Sequence, residues 1–456
     1  MYPQIYFLGI GGIGMSALAR YYLHAGAHVS GYDRTPSDLT LSLEEEGIAI
    51  HYQDNPTLIP QQVRDRPQDT LVIYTPAIPS DHREWRYLQQ KGYTAIKRAR
   101  ALGEIADSKI CLAVAGTHGK TTTSTLLAHI FAHSETGCTA FLGGIAKNYQ
   151  SNLLLSRTPY LVAEADEFDR SFLQLHPQGA IITSIEADHL DIYGNYAQLE
   201  AAFAAFAAQI KQGGDLVLKQ GIPLPLPADR NYHLYRYALE QPADFYASDL
   251  VCETGGCYRF TLHLNGARLN DCRLGIPGRI NVENAVAASA LAYLNNISAP
   301  KIKAALSTFS GVSRRFDIQF DRSGCTYIDD YAHHPTEVAA ALQSLRAIYP
   351  GRKITALFQP HLYSRTRDFA DAFGAALSLA DALILLPIYP AREAPIPGVS
   401  SDMLLTKVSI KDKRLIPKED LVDFLNTLSL DVLVTLGAGD IDRLVPQIKT
   451  MLEVKR

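Results

Sequence analysis

The sequence predicts a three-domain α/β protein: an N-terminal Rossmann-like domain, a central P-loop ATPase-like domain with a small antiparallel segment, and a C-terminal Rossmann-like domain. Three observations predict it. Short apolar runs alternate with amphipathic stretches along nearly the whole chain, as when helices wrap a parallel sheet. Two glycine-rich turns each sit between such a run and a helical stretch. The 456 residues are too many for one core and suit roughly three domains at ~150 residues each.

In residues 1–107, "IYFLG", "HVSGYD" and "LVIYTPA" read as strands, and "GMSALARYYLHAG" and "DHREWRYLQQKG" as helices. Residues 108–312 begin with "ICLAVA", a continuous apolar run suited to a strand buried on both faces. "YLVAEAD" and "AIITSI" follow as strands, and "YAQLEAAFAAFAAQIKQGG" as a helix. From about 220 to 276, short alternating runs such as "CYRFTLHLNG" predict antiparallel strands, before "INVENAVAASALAYL" returns to helix. Residues 313–456 form the third unit, with strands at "TYIDDY", "ITALFQ", "ALILLPIY" and "VLVTLGAG". "YPAREAPIPGVS" reads as its longest loop.

Composition excludes several classes. A net charge of −4 with 20% charged residues offers no basic field for nucleic acid. No apolar stretch approaches the ~20 residues that span a bilayer, so no membrane association is expected. The opening "IYFLGIGGIG" lacks the charged-then-apolar pattern of a leader. Six cysteines are scattered without a C-x-x-C pair, which favours reduced thiols in the cytoplasm over a disulfide framework or zinc site.

The second glycine turn carries the chemistry. "GTHGKTTT" lies between "ICLAVA" and a helical stretch, although a strict phosphate loop would place a glycine at Val114 and this one offers Gly116 instead. Strand, turn, lysine, hydroxyl and helix aim backbone N–H groups at phosphates. Lys120 is expected to reach the β/γ-phosphates of ATP, and the Thr121 hydroxyl to sit on Mg²⁺. The first turn, Gly9-Ile10-Gly11-Gly12-Ile13-Gly14, has the spacing of a dinucleotide site, and Asp33 lies where an acid usually meets a ribose. Taken alone it suggests a nicotinamide oxidoreductase. Two such turns in successive domains imply two phosphorylated ligands.

Acidic runs end two central strands. "AEADEFDRSF" supplies Glu164, and "IEADHLD" places His189 among three acids. Ligands bind at that end of open α/β sheets, and Mg²⁺ seeks carboxylate oxygens. "DDYAHHPTE" ends a strand of the third domain, and Pro335 and Glu337 there fit the first turn of a helix. "FQPHLYSRTRD" adds His361, Arg365 and Arg367, whose guanidinium forks match a carboxylate or phosphate.

"GTHGKTTT", "EADE", "IEADHLD", "GVSRRFD", "DDYAHHPTE" and "FQPHLYSRTRD", in this order with "GIGGIGMSALA" at the start, resemble the Mur ligases over nearly the whole chain. "DDYAHHPTE" with "FQPH" points to the alanine-adding branch. The resemblance implies ATP-dependent amide formation in peptidoglycan synthesis. The lactyl carboxylate of UDP-N-acetylmuramate takes the γ-phosphoryl group, and the amine of L-alanine attacks the acyl phosphate. It implies that Gly116, Thr117, His118, Gly119, Lys120, Thr121 and Thr122 hold ATP phosphates, with Lys120, His189, Arg315 and His333 in catalysis. Thr121 and Glu164 would ligate one Mg²⁺ and His189 a second; Asn281 or Asn284 would face adenine, Arg315 the phosphates and Asp330 the ribose. Gly11, Gly12, Ile13, Gly14 and Asp33 would hold the uridine nucleotide, and Tyr331, His333 and Arg365 the amino acid.

Two positions depart from the pattern that the resemblance implies. Other members carry a carbamylated lysine some way past the histidine matching His189, whereas 197–210 reads "AQLEAAFAAFAAQI" without one, as the alanine-adding branch does. That branch often has arginine where this chain has Leu362. The rivals are a recycling ligase that attaches a whole tripeptide to the same sugar nucleotide, the oxidoreductase, and a non-catalytic ATP-dependent switch.

Overall fold

A computed structural model describes residues 2–187, 190–322, 324–391 and 393–455. The N-terminal sheet comprises β1 (Gln4–Leu8), β2 (His28–Tyr32), β3 (Ala49–His51), β4 (Thr70–Tyr74) and β5 (Thr94–Lys97) in the order β3-β2-β1-β4-β5, all parallel. Every residue of β1 is buried, because helices cover both faces. Alternation then sorts its side chains: Ile5 and Phe7 join a cluster with Met15 and Leu18, while Tyr6 and Leu8 join Val63 and Leu88 on the other face.

The central sheet has ten strands: β6 (Ile110–Ala115), β7 (Thr139–Ala146), β8 (Ser151–Leu154), β9 (Tyr160–Glu164), β10 (Gly179–Ile182), β11 (Asp215–Lys219), β12 (His233–Leu239), β13 (Phe245–Cys252), β14 (Tyr258–Leu264) and β15 (Ala267–Arg273). Their order is β15-β14-β13-β12-β11-β10-β6-β9-β7-β8. β6 lies between β10 and β9, both parallel to it, and β8 closes one edge antiparallel to β7. The stretch read as antiparallel strands begins differently. β12 pairs in parallel with both β11 and β13, because residues 240–244 loop back far enough for β13 to start beside the end of β12. The β7–β8 hairpin has no counterpart in the sequence reading.

The C-terminal sheet, β16 (Asp317–Arg322), β17 (Cys325–Asp330), β18 (Ile354–Phe358), β19 (Ala382–Leu385), β20 (Lys413–Leu415) and β21 (Val432–Leu436), runs β16-β17-β21-β18-β19-β20, with only β16 antiparallel among its pairs. The fold is thus α/β with three sheets, the N-terminal one parallel and the other two mixed. The chain divides into two compact units: 1–249, 260–273 and 283–310 form the first, and 250–259, 274–282 and 311–456 the second. Among the described residues, no helix is long and apolar enough to cross a membrane.

Candidate active site

The first glycine turn follows β1. The N–H groups of Gly9 and Ile10 both donate to Tyr32 O, and Gly11 N–H donates to Asp33 Oδ2 at 2.7 Å. Asp33 Oδ1 accepts from Arg34 N–H at 2.7 Å. The acid at the end of β2 therefore holds the turn's own backbone. Gly12 caps the helix Ile13–His24, whose buried face carries Met15, Ala17 and Leu18.

The second turn follows β6 and opens the helix Lys120–His133, which is buried from Thr121 to Phe131. Gly116 has φ +135°, and a Cβ there would stand 2.0 Å from Thr183 Oγ1, so only glycine fits between β6 and the end of β10. Ser184 organises the turn: its carbonyl accepts from Thr117 N–H at 3.1 Å and its hydroxyl from His118 N–H at 2.8 Å. Asn284 approaches Gly119 from the helix Arg279–Leu294.

Lys120 Nζ folds back over the turn, donating to Gly116 O at 2.6 Å and Thr117 O at 3.3 Å. It meets both oxygens of Glu167, at 2.9 and 2.8 Å. Burial pushes the lysine pKa down, but Glu167, Asp166 and Glu164 outweigh it and hold the ammonium above its ordinary range. Burial pushes Glu167 upward and Lys120 opposes it; contact with both carboxylate oxygens makes this an ammonium–carboxylate pair. Tyr193 OH donates to Glu167 O at 2.6 Å, fixing the acidic loop.

Glu164 ends β9, beside β7. Arg98, from the helix Arg98–Asp107, reaches Asp166 Oδ2 at 3.5 Å. These elements enclose a cavity of about 260 Å³, lined by Gly12, Ile13 and Gly14 on one side, Glu164 and Asp166 on another, and Arg98 between them. The first glycine turn and the acidic end of β9 thus face one space. A hydroxyl and a carboxylate, Thr121 and Glu164, are oxygen donors of the kind Mg²⁺ takes. His189 lies outside the described residues.

In the second unit, Asp330 ends β17 and accepts from Phe316 N–H at 2.7 Å and Ala332 N–H at 2.8 Å. Burial raises its pKa to about 6 against the pull of Arg315 and of those two N–H groups. The guanidiniums of Arg314 and Arg315 lie 5.0 and 4.9 Å from the centre of the Tyr331 ring. Arg314, absent from the sequence-stated set of site residues, also bonds Gly437 O at 2.7 Å and Asp329 at 3.3 Å. His333 sits 5.3 Å from Tyr331 and 6.2 Å from His361, ring to ring, with Nδ1 3.1 Å from Tyr331 O. His334 caps the helix Pro335–Ile348, and Glu337 completes the cap, as the helix-start reading requires. Asn281 donates to Pro277 O at 2.6 Å. Arg365 is half-buried on the short helix Tyr363–Asp368, after β18. Leu362, which opens that helix, has φ +71° and ψ 136°, held by its N–H bond to Tyr389 O at 2.9 Å.

Residues 4–110 match the Mur ligase family catalytic domain, 114–292 the Mur ligase middle domain and 314–439 the Mur ligase glutamate ligase domain. The chain belongs to the Mur ligase family. It is 49% identical over 453 residues to the UDP-N-acetylmuramate–L-alanine ligase of Porphyromonas gingivalis, covering 99% of each chain. It is 50% identical over 450 residues to that of Parabacteroides distasonis, covering 98% of this chain and 97% of the other. The solved UDP-N-acetylmuramate-alanine ligase of Thermotoga maritima, 27% identical, matches with a TM-score of 0.84 over 99% of this chain and 100% of its own. A murein peptide ligase from Psychrobacter arcticus, 23% identical with a TM-score of 0.71 over 98% of each chain, shares the fold.

Proposed function

We propose that this chain is the ATP-dependent ligase that joins L-alanine to the lactyl carboxylate of UDP-N-acetylmuramate in peptidoglycan synthesis, acting in the cytoplasm. The observation that carries the reading is the cavity walled by Ile13 and Gly14 on one side and Glu164 and Asp166 on the other. A sugar nucleotide held at the first turn would extend its carboxylate through that space toward the second. Near-full-length identity to relatives of that name supports the choice of amino acid.

In this reading residues 1–107 hold the sugar nucleotide through Gly11, Gly12, Ile13, Gly14 and Asp33. Residues 108–312 hold ATP through Gly116 to Thr122 and Asn284, and residues 313–456 hold L-alanine. Lys120 exchanges its carbonyl contacts for phosphate oxygens, while Glu167 keeps it charged and aimed. Thr121 and Glu164 would hold Mg²⁺, and the sequence adds His189. The ion supplies charge neutralisation at phosphate oxygens. Asn281 and Asp330 serve the nucleoside, and Arg315 the phosphates. Positioning and charge neutralisation are what phosphoryl transfer to a carboxylate demands. Tyr331 and His333 shape the amino-acid pocket, and Arg365 grips the alanine carboxylate so that the amine faces the acyl phosphate.

The test is phosphate release with ATP, Mg²⁺, UDP-N-acetylmuramate and L-alanine together. Release should need all of them. Release with the tripeptide but not with L-alanine would transfer the chain to the recycling ligases, and no release with either would end the ligase reading.

A further inference from the structure

We infer that Asn152 is a positioning residue that sets the first glycine turn against Glu164 through the β7–β8 hairpin. Asn152 lies on β8 and is fully buried. Its Nδ2 donates to Ile13 O at 2.6 Å and to Ser16 Oγ at 2.9 Å, and its Oδ1 accepts from Arg20 Nη1 at 2.6 Å. All three partners stand on the helix that the first glycine turn opens. Ser16 Oγ donates to Ile13 O at 3.0 Å, so the same carbonyl is held from two sides. Arg20 is braced in turn by Glu46 at 2.7 Å and by Ser42 Oγ at 2.9 Å.

The other strand of the hairpin reaches the acid. β7 pairs antiparallel with β8 at Phe141↔Leu153 and parallel with β9 at Phe141↔Ala163, next to Glu164. At Gly143 a Cβ would stand 2.2 Å from Glu164 Oε2, so the β7 backbone lies directly on that carboxylate. Phe141, Leu142 and Gly143 line the same cavity as Ile13 and Gly14. One hairpin therefore spans the space between the two ends of the site, gripping one with an amide and abutting the other with bare backbone. A buried amide with its bonds filled defines a unique arrangement, and small misplacements at a reacting pair carry large rate penalties.

The inference rests on the proposal that the first turn takes UDP-N-acetylmuramate, and the experiment separates the two. Calorimetry with UDP-N-acetylmuramate is run on the wild type, Asn152→Ala and Asn152→Asp, beside the KM values for ATP and L-alanine. The aspartate variant keeps the shape and the Arg20 contact but sets an acceptor against Ile13 O. Both variants should weaken sugar-nucleotide binding by roughly tenfold, the scale of a lost buried hydrogen bond, with the KM for ATP within about twofold of wild type. If the alanine variant does not fold, the aspartate variant decides. Binding within twofold of wild type, or an equal loss for ATP, would overturn the assignment. A wild type that binds no UDP-N-acetylmuramate would instead overturn the reading of the turn.

Discussion

The two glycine turns share a scaffold of strand, turn and helix N-terminus, yet each sheet buries its acid differently. Beneath the second turn, fully buried Glu167 faces the Lys120 ammonium at 2.8–2.9 Å. In the N-terminal domain, on the sheet face opposite the helix that follows the first turn, Glu84 of the helix Arg83–Gln90 is equally buried but meets neutral donors. Tyr6 OH donates to it at 2.7 Å and Asn55 N–H at 3.0 Å. Burial raises the Glu84 pKa to about 7, and the two hydrogen bonds only partly resist. Its histidine neighbour, His51, is itself pushed toward the neutral form by burial. Equal burial thus yields a charge kept ready in one sheet and a charge suppressed in the other. What decides is whether the enclosed partner is an ion.

The largest expected effect breaks the charged pair. Lys120→Ala should cut turnover by roughly 10²–10³-fold or more, the scale of removing one donor to transition-state charge. The double variant Lys120→Met/Glu167→Gln removes both charges and should melt close to wild type while staying inactive. Activity in either variant, measured as phosphate release, would remove Lys120 from the phosphate site.

Next in size is a contrast between the turns themselves. Gly116→Ala strains a φ of +135° and meets Thr183 and the Ser184 backbone at 2.0–3.0 Å, so ATP affinity should fall roughly tenfold or more. Gly14→Ala meets chiefly the Arg98 side chain, at 2.8 Å from Nη1, which can swing away. It should weaken UDP-N-acetylmuramate binding a few-fold and leave ATP alone. Calorimetry with each nucleotide reads both; equal effects on both ligands would show the turns to be one unit.

The smallest effect is on stability. A carboxyl whose folded pKa lies above its unfolded value stabilises most when protonated. The Glu84 contribution is full below about pH 4.5 and is lost as pH rises toward about 7. Glu84→Gln should therefore melt above wild type at pH 8, by a few degrees, with the gap closing toward pH 5. A gap that does not change with pH would mean that Glu84 keeps its charge throughout.

The sequence made the parallel strands legible because burial on both faces leaves continuous apolar runs such as "ICLAVA", and the phosphate turn legible because its lysine and hydroxyls are adjacent in the chain. The β7–β8 hairpin was not, since "TAFLGGIAKNYQSNLLL" mixes two glycines with polar residues and shows neither clean period. Glu167 and Asn152 also escaped: their partners lie 47 and 132–139 residues away, and no local pattern announces a contact made by tertiary packing. Asp33 was recognisable as the acid after β2, but its bond to Gly11 N–H is a matter of geometry.

Leu362 carries a consequence for which side chains its position tolerates. Its left-handed backbone, φ +71°, costs any side chain with a Cβ on the order of 1–3 kcal/mol. That cost falls on leucine and on arginine alike, so exchanging the two would change backbone strain little. The backbone at 362 leaves glycine as the one replacement that would relieve the strain outright.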